Sequence, residues 1–444
     1  MVIDLNFAPR QTSTLSAISV AGFKSLIHEQ TLHISPLTIL AGANSSGKSS
    51  IMQPLLLMKQ TLESPYDPGV FLLDGPNVRF TSSQQILSRP KINNGIFSIT
   101  IHDRYKSTTL EYSENSDFGL NINRVTLKEK DSTSFTLSEM TTIEDVSAYL
   151  RSVRSYLHVT DITDINFTII KSRISLDLTA KFNSIFGCKK TTMSITTNFF
   201  DAEDEITNII HLPGLRRNPE RSYKTSGVGN KYSGTFENYV ASIIRIWQQN
   251  RSDNIITICN HLQYVGLTSI ISSTALDATQ VELKVGRLPY SSTDGDSDLV
   301  NIADVGVGVS QVLPVLVALL AAAPGQLVYI EQPEIHLHPL AQYKLAAIIA
   351  EASKRGVLVV IETHSDILIR GVQTLVAKGE LDPAIVKLHW FSRSPEDGST
   401  TVTCAELDET GSFGDWPQDF DTTALLTEKA YLDAVEERLS RNEK

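Results

Sequence analysis

The sequence is poor in the features that mark secreted, membrane-spanning or disulfide-bonded proteins. Its 444 residues include only three cysteines, too few and too scattered for a disulfide framework or a zinc site. They fit a reducing compartment, and we expect a cytoplasmic protein. The longest apolar run, Val312 to Ala323, is interrupted by Pro314 and is too short to cross a bilayer. The N-terminus carries no basic-then-apolar signal pattern, so no membrane contact is expected.

Positive charge is also scarce, since 39 Lys and Arg stand against 50 Asp and Glu, a net charge of −11. This balance excludes a protein that coats nucleic acid through general charge, so any DNA contact needs a local basic patch. The best such patch contains Arg216, Arg217 and Arg221. It could meet a phosphate backbone or an acidic partner, or it could be a solvated face. The stretch from about 91 to 295 has no heptad repeat, which argues against a long coiled-coil arm.

One stretch carries a complete nucleotide-binding motif. Residues 42–49 read G-A-N-S-S-G-K-S, which fits the P-loop pattern G-x-x-x-x-G-K-[ST]. The apolar run Leu37 to Ala41 predicts a buried strand before it, and Ser49 to Leu62 has apolar residues at helical spacing after it. Backbone N–H groups and the helix N-terminus would bind phosphate, Lys48 would reach the β- and γ-phosphates, and Ser49 would offer a hydroxyl to Mg²⁺. We predict that ATP and Mg²⁺ are bound by Gly42, Asn44, Ser45, Ser46, Gly47, Lys48, Ser49 and Ser50.

A second motif lies far downstream. Leu327 to Ile330 is an apolar run that leads into Glu331, and this predicts a Walker B strand. A carboxylate at a strand end can orient a water on Mg²⁺, so Ser49 and Glu331 are the predicted metal residues. An ordinary buried strand followed by a polar turn is the alternative.

Two further motifs flank this strand. The next apolar strand ends at Glu362, and His364 follows it, where it could sense the γ-phosphate. Upstream, Gly308 and Ser310 open an apolar helix that extends to Ala323. Such a start predicts a second anion-binding helix N-terminus. A capped helix start without a ligand is the alternative.

With these motifs, the chain resembles ABC-type ATPases of the branch that includes SMC, Rad50 and the overcoming-lysogenization-defect (OLD) proteins. The residues from Glu331 to Pro339 are similar to compact bacterial members without a long coiled coil. Many of these are ATPase subunits of phage-defence systems such as the Septu type, and we expect the chain to be a subunit of this kind. His211 to Arg221 also resembles that subgroup, and Gly411 to Phe420 does so more loosely. The resemblance rests on Gly22 to Ser25, the P-loop, Gly306 to Gln311, Glu331 to Pro339 and Thr363 to Ser365.

The resemblance implies an α/β fold. We expect an ABC-type P-loop ATPase head with a parallel-sheet core, an inserted α+β lobe and no long coiled coil. The expected ranges are 1–90 for the N-terminal part of the head and 91–295 for the inserted lobe, which also supplies some head β-structure. Residues 296–405 would form the C-terminal part of the head, and 406–444 a C-terminal segment with a closing helix.

The resemblance also implies an ATP sandwich between two chains. Gly308, Ser310 and Gln311 of one chain would cap the nucleotide held by the P-loop of the other, giving a homodimer or a higher homo-oligomer. Typical ABC ATPases carry a glutamate after the Walker B acid, whereas this chain has Gln332. An amide can position water but cannot take its proton. Either Glu334 takes part, or hydrolysis is slow and ATP mainly holds a clamped state, which we favour. The predicted catalytic residues are Glu331, Gln332, Glu334 and His364.

Three functions are compatible with these motifs. The first is an ATPase switch that controls a separate effector, expected to be a nuclease, in anti-phage defence. The second is an SMC-like DNA-repair or chromosome-maintenance ATPase that clamps DNA. The lack of heptads and the acidic balance favour the first over the second. The third, a transporter subunit, is disfavoured by the long insertion between P-loop and signature. A separate effector is expected because the stretch after His364 is too short for a fused Toprim nuclease and no nucleophile constellation stands elsewhere.

Overall fold

The computed structural model describes residues 2–4, 15–89, 95–115, 119–129, 134–153, 162–186, 189–287, 298–414, 429 and 432–433. The predicted closing helix, from 421 to 442, lies outside these residues except for three positions. Residues 415–420 of the stretch Gly411 to Phe420 also lie outside them.

Eight α-helices and twenty strands form within the described residues. The helices are α1 Lys48–Leu62, α2 Ile143–Ser152, α3 Glu203–Thr207, α4 Val240–Gln249, α5 Asp253–Tyr264, α6 Val307–Ala321, α7 Pro339–Lys354 and α8 Asp366–Ala377. The strands are β1 Val2–Asp4, β2 Ala17–Ala21, β3 Gln30–His33, β4 Leu37–Gly42, β5 Ile96–His102, β6 Lys106–Glu114, β7 Leu120–Glu129, β8 Phe135–Ser138, β9 Ile162–Lys171, β10 Leu176–Phe186, β11 Lys189–Asn198, β12 Ile210–Leu212, β13 Tyr223–Lys224, β14 Ile271–Ala275, β15 Gln280–Gly286, β16 Leu299–Asn301, β17 Leu327–Glu331, β18 Leu358–Glu362, β19 Val386–Arg393 and β20 Thr400–Glu406.

The sheet that positions the site has the strand order β12-β17-β18-β4-β19-β20. Its first five strands are mutually parallel, and β20 closes the edge in the antiparallel sense. The carboxyl ends of parallel strands meet at one edge, which is where open α/β sheets bind ligands. Strand β18 lies between the P-loop strand β4 and the predicted Walker B strand β17.

Both faces of this sheet are buried, as expected for parallel strands with near-continuous apolar sequences. On β17, Val328 and Ile330 pack into the core that includes α6, α7 and α8. Leu327 and Tyr329 pack into the opposite core, which includes α1. This alternation fixes the direction of the last residue of each strand, because successive side chains point to opposite faces. Glu331 therefore points to the α1 side, as Tyr329 does.

Three other sheets surround this layer. An antiparallel sheet has the order β3-β2-β5-β6-β7-β8 and shares the α1 core. A second joins β1, β11, β10 and β9, and a third joins β13, β15 and β14, with β16 paired to β15. None of the helices in the described part of the chain is long and apolar enough to cross a membrane.

The predicted fold class is confirmed: the fold is mixed α/β with a parallel sheet at its centre, and no long coiled coil occurs in the described ranges. The sequence also predicts a helix over 235–249, and the structure has a 3₁₀ turn, Phe236–Tyr239, at its start and α4 over the rest. Helix α5 and the three-residue strand β12 were not predicted. The division into the four ranges given above stays a prediction.

Candidate nucleotide-binding site

The P-loop connects β4 to α1 through backbone conformations that favour glycine. Gly42 has φ 146° and Gly47 φ 100°, and Ser45 between them also has a positive φ, 60°. A Cβ atom on Gly42 would lie 2.3 Å from the Phe391 carbonyl oxygen, so only glycine fits there. Helix α1 begins at Lys48 without a side-chain cap on its N-terminal N–H groups. Those N–H groups are therefore available to an anion.

The P-loop is held by hydrogen bonds from the β19–β20 hairpin, which also contacts the turn at residues 22–25. The Thr400 hydroxyl donates to the Ser46 carbonyl (2.7 Å), and its backbone N–H donates to the Ser25 carbonyl (2.7 Å). The guanidinium of Arg393 donates to the Ser45 carbonyl (3.3 Å). The turn at residues 22–25, noticed in the sequence only as a family motif, is thus part of the support of the P-loop.

Lys48 is 3% exposed, and its ammonium group contacts the loop itself. It donates to the carbonyl oxygens of Gly42 (3.0 Å) and Ala43 (2.8 Å). Burial lowers the pKa of Lys48, and the carboxylates of Glu362 and Glu334 raise it in part. A buried cation bonded to loop carbonyls is placed to bind phosphate after a small side-chain movement.

A cavity of about 710 Å³ opens beside the loop, within the range of ligand pockets. Its lining includes every predicted P-loop residue from Asn44 to Ser50, together with Lys24, Gln332 and His364. The hydroxyl of Ser46 is buried there and has no hydrogen-bond partner. An unpaired buried hydroxyl, a buried ammonium and an uncapped helix N-terminus fit the phosphates of a nucleotide, and the Ser49 hydroxyl beside a carboxylate fits Mg²⁺.

The predicted Walker B acid does not line this cavity. Glu331 Oε1 lies 3.2 Å from His211 Nε2, and Glu331 Oε2 accepts a hydrogen bond from the Gly214 N–H (3.1 Å). Burial raises the pKa of Glu331, but His211, the Gly214 N–H and Arg216 together bring it below its ordinary value. Its assignment to the metal stays a prediction.

The carboxylate that faces Ser49 belongs to Glu362. The Ser49 hydroxyl donates to Glu362 Oε1 (3.0 Å), and the Tyr329 hydroxyl donates to Oε2 (3.0 Å). Glu362 is 6% exposed, and burial raises the pKa of its carboxyl group. The sequence prediction missed Glu362 as a site residue. The signal was present, because Glu362 ends an apolar strand in the same way as Glu331.

Arg216 does not belong to an exposed basic patch, because it is buried. It is 7% exposed, and its guanidinium donates to the carbonyl oxygens of Glu331 (3.1 Å) and Gln332 (2.9 Å). Counting Arg216 in an exposed basic patch was wrong, because its side chain is buried and bonded to the backbone of the Walker B turn. Arg217 is exposed, and Arg221 forms an exposed ion pair with Asp304 (2.7 Å).

The turn after β17 is held against the predicted switch histidine. Gln332 (φ 46°) and His336 (φ 64°) occupy the left-handed region, which costs a non-glycine residue energy and marks functional segments. Glu334 Oε1 accepts from the Thr363 hydroxyl (2.7 Å) and the His364 N–H (3.0 Å), while Oε2 is buried without a partner. Burial lowers the pKa of His364, and Lys48 lowers it further. Its imidazole is therefore neutral at neutral pH.

The predicted signature residues lie outside the cavity. Helix α6 begins at Val307, and none of Gly308, Ser310 and Gln311 lines the P-loop cavity. The Ser310 hydroxyl donates to the Val307 carbonyl (2.9 Å), and the Gln311 amide donates to the Arg217 carbonyl (3.1 Å). The structure thus brings the P-loop, Gln332 and His364 together and leaves the signature apart from them.

One family profile matches most of the chain. The family described as "AAA domain, putative AbiEii toxin, Type IV TA system" matches residues 37–370. No curated relative matches the sequence.

Solved structures that are similar to the chain include three SMC heads. One is an SMC head bound to the C-winged-helix domain of ScpA, with 15% identity, a TM-score of 0.44 and coverage of 89% of this chain and 98% of that chain. Another is the SMC head domain from Thermotoga maritima, with 9% identity and a TM-score of 0.36. The match covers 89% of this chain and 100% of that chain. A third is an Smc head with an extended coiled coil, bound to the C-terminal domain of ScpA derived from Pyrococcus furiosus. It has 12% identity and a TM-score of 0.40, and the match covers 89% of this chain and 97% of that chain.

Proposed function

The chain belongs to the AAA-domain ATPase family matched over residues 37–370, and we propose that it is an ATP-binding and hydrolysing switch subunit. In this proposal two or more copies assemble through their ATP sites. The assembled state controls a separate effector, a nuclease, in anti-phage defence. The family description names a toxin and a toxin–antitoxin system, which supports a defence role.

One observation carries the oligomeric part of the proposal. The P-loop cavity is open, and the signature helix of the same chain does not contribute to it. The N-terminus of α6 has no side-chain cap, Val307 is 48% exposed, and a Cβ on Gly306 would meet nothing within 4 Å. An exposed, uncapped helix N-terminus is an anion site that still needs an anion. The γ-phosphate bound to a second copy is the ligand that fits it.

The residues around the cavity support slow turnover. ATP with Mg²⁺ supplies the γ-phosphoryl group that is transferred to water. The chain holds the phosphates with Lys48 and the α1 N-terminus, and Gln332 orients water without accepting its proton. Glu334 fixes the backbone of His364, whose neutral imidazole faces the cavity. Because position 332 carries an amide instead of the usual carboxylate, hydrolysis is slow and the ATP-bound assembly persists, which suits a switch better than a motor.

The proposal is tested by purifying the full chain together with the product of the neighbouring gene. We expect the two proteins to co-purify, and ATP to change the nuclease activity of the second protein. Lys48→Ala should abolish this ATP response, whereas Lys378→Ala, which removes an exposed lysine at the end of α8, should leave it intact. A neighbouring product that neither binds the chain nor responds to ATP would contradict the effector role.

A further inference from the structure

We infer that Glu362, and not Glu331, supplies the carboxylate oxygen of the Mg²⁺ site beside Ser49. The inference rests on the proposed function, because it requires ATP and Mg²⁺ in the P-loop cavity. It concerns which of two neighbouring acids this chain uses to hold the metal.

The strand order places Glu362 closer to the P-loop. Glu362 is the register partner of Leu40 on β4, the strand that leads into the P-loop. Glu331 is the register partner of Glu362 on the far side of β18. Neighbouring strands are about 4.8 Å apart, so Glu331 starts roughly 10 Å from the P-loop strand and Glu362 only half as far.

The distance between the side-chain oxygens of Ser49 and Glu362 matches the distance between two adjacent ligands of Mg²⁺. Ser49 Oγ and Glu362 Oε1 are 3.0 Å apart. Mg²⁺ holds oxygen ligands in an octahedron at about 2.1 Å, so two adjacent ligands lie about 3 Å from each other. The two oxygens could therefore accept the metal between them without a change in their separation.

Tyr329 holds the Glu362 carboxylate in this orientation. Its hydroxyl donates to Oε2 and leaves Oε1 for the Ser49 side. Both Tyr329 and Glu362 are buried. A buried partner that orients a ligating carboxylate is the usual outer shell of a metal site.

Glu331 already has partners on both oxygens. His211 contacts Oε1, and the Gly214 N–H donates to Oε2. His211 is itself fixed, because its Nδ1 lies 3.1 Å from Asn77 Oδ1 and its ring stacks on Tyr329 with centroids 5.5 Å apart. Turning Glu331 to the metal would leave the buried imidazole and the Gly214 N–H without their acceptor. Glu331 is therefore a positioning residue that anchors the 211–216 segment to the end of β17.

The test measures metal affinity rather than turnover. Full-length protein is loaded with a non-hydrolysable ATP analogue and titrated with Mn²⁺, and free Mn²⁺ is followed by its electron paramagnetic resonance signal. We expect Glu362→Gln to weaken Mn²⁺ binding about tenfold or more, the size of effect known for metal-site carboxylates and their partners. The matched variant Glu331→Gln should change it less than about threefold. Equal losses in both variants, or a larger loss in Glu331→Gln, would overturn the inference.

Two controls separate the possible failures. Binding of the analogue to wild-type protein is first measured with saturating Mg²⁺, and no binding there would contradict the proposed function itself. Analogue and Mn²⁺ binding in wild type, with Glu362→Gln unaffected, would overturn only the metal assignment. Circular dichroism reports whether each variant is folded. If Glu362→Gln fails to fold, Glu331→Gln decides, since a tenfold loss there refutes the inference and unchanged affinity supports it.

Discussion

Glu331 and Glu362 are register partners at the carboxyl ends of two neighbouring parallel strands, and both side chains project to the α1 side of the sheet. Two carboxylates at this spacing repel each other, and the pKa of Glu362 is raised by Glu331 in addition to burial. His211 and the Gly214 N–H stabilise the Glu331 carboxylate. The hydroxyls of Ser49 and Tyr329 stabilise the Glu362 carboxylate. Glu331 therefore contacts the 211–216 segment, whereas Glu362 lines the P-loop cavity.

The P-loop glycine at position 47 provides a steric test. A Cβ on Gly47 would lie 2.5 Å from Thr400 Oγ1 and 2.9 Å from Ser25 Oγ. We expect Gly47→Ala to weaken ATP binding at least tenfold, because the loop must shift away from its support. Gly69→Ala is the matched control, since Gly69 also has positive φ, 84°, but would meet no atom within 4 Å. It should lower the free energy of unfolding by about 1–2 kcal/mol and leave the titrated ATP affinity unchanged.

Replacing Gln332 tests whether the amide at this position limits the proposed ATP hydrolysis. A glutamate there can accept the proton of the attacking water, and general-base catalysis contributes about 10²–10⁴-fold. We expect Gln332→Glu to raise steady-state phosphate release by about 10²-fold, whereas Gln332→Ala should not raise it. A Gln332→Glu variant no faster than wild type would show that the missing general base is not what limits hydrolysis.

The buried arginine should matter for stability. Arg216→Ala removes two hydrogen bonds that the buried guanidinium donates to the backbone of the Walker B turn, and a hydrogen bond with a charged partner contributes about 1.5–3 kcal/mol. We expect the free energy of unfolding, measured by urea denaturation, to fall by roughly 2–4 kcal/mol. Arg217→Ala, one residue further on and exposed, should change it by less than about 0.5 kcal/mol. Similar effects of the two variants would contradict the burial of Arg216.

We expect the buried imidazole of His389 to lower the free energy of unfolding as the pH falls below 6.5. Burial, with smaller contributions from His33 and Lys387, lowers the pKa of His389 from 6.5 to about 4. Between these values the unfolded chain binds a proton that the folded chain does not. The stabilisation is therefore complete above pH 6.5 and is lost as the pH falls toward 4, by roughly 3 kcal/mol.

The measurement for His389 compares the free energy of unfolding of wild type and His389→Gln across this range. The comparison is needed because Asp177 acts in the opposite sense: burial raises its pKa to about 6, so protonating it in acid favours the folded state. The wild type should lose stability relative to the variant as the pH falls. Parallel curves would refute the role of His389.

The sequence predicted the elements with strong local signals. The sequence from Pro339 to Lys354 predicts a helix, because proline suits the first helical turn and apolar residues recur at helical spacing, and α7 has these bounds. The P-loop motif predicted a strand before the loop and a helix after it, and β4 and α1 lie there. Contacts between distant segments could not be read from the sequence. Strand β12 is only three residues long, too short for any periodicity, yet it brings His211 to Glu331.

The orientation of the two acids was also beyond the sequence. Glu331 and Glu362 both end apolar strands, and only the strand order shows that β18 is the one beside β4. Arg216 and Arg217 are adjacent in the chain, but one is buried and the other exposed, because the turn after Pro213 directs only the first into the protein. Such differences depend on tertiary packing rather than on local propensity.

In the proposed assembly, ATP joins copies of this chain through the P-loop of one and the signature of another. The most direct test is the mass in solution, by light scattering after size-exclusion chromatography, with and without ATP and Mg²⁺. We predict that ATP shifts the wild-type chain to a dimer or a higher oligomer, and that Ser310→Arg, which still binds ATP, does not shift. A wild-type mass that is the same with and without ATP, or a Ser310→Arg variant that assembles like wild type, would contradict the account.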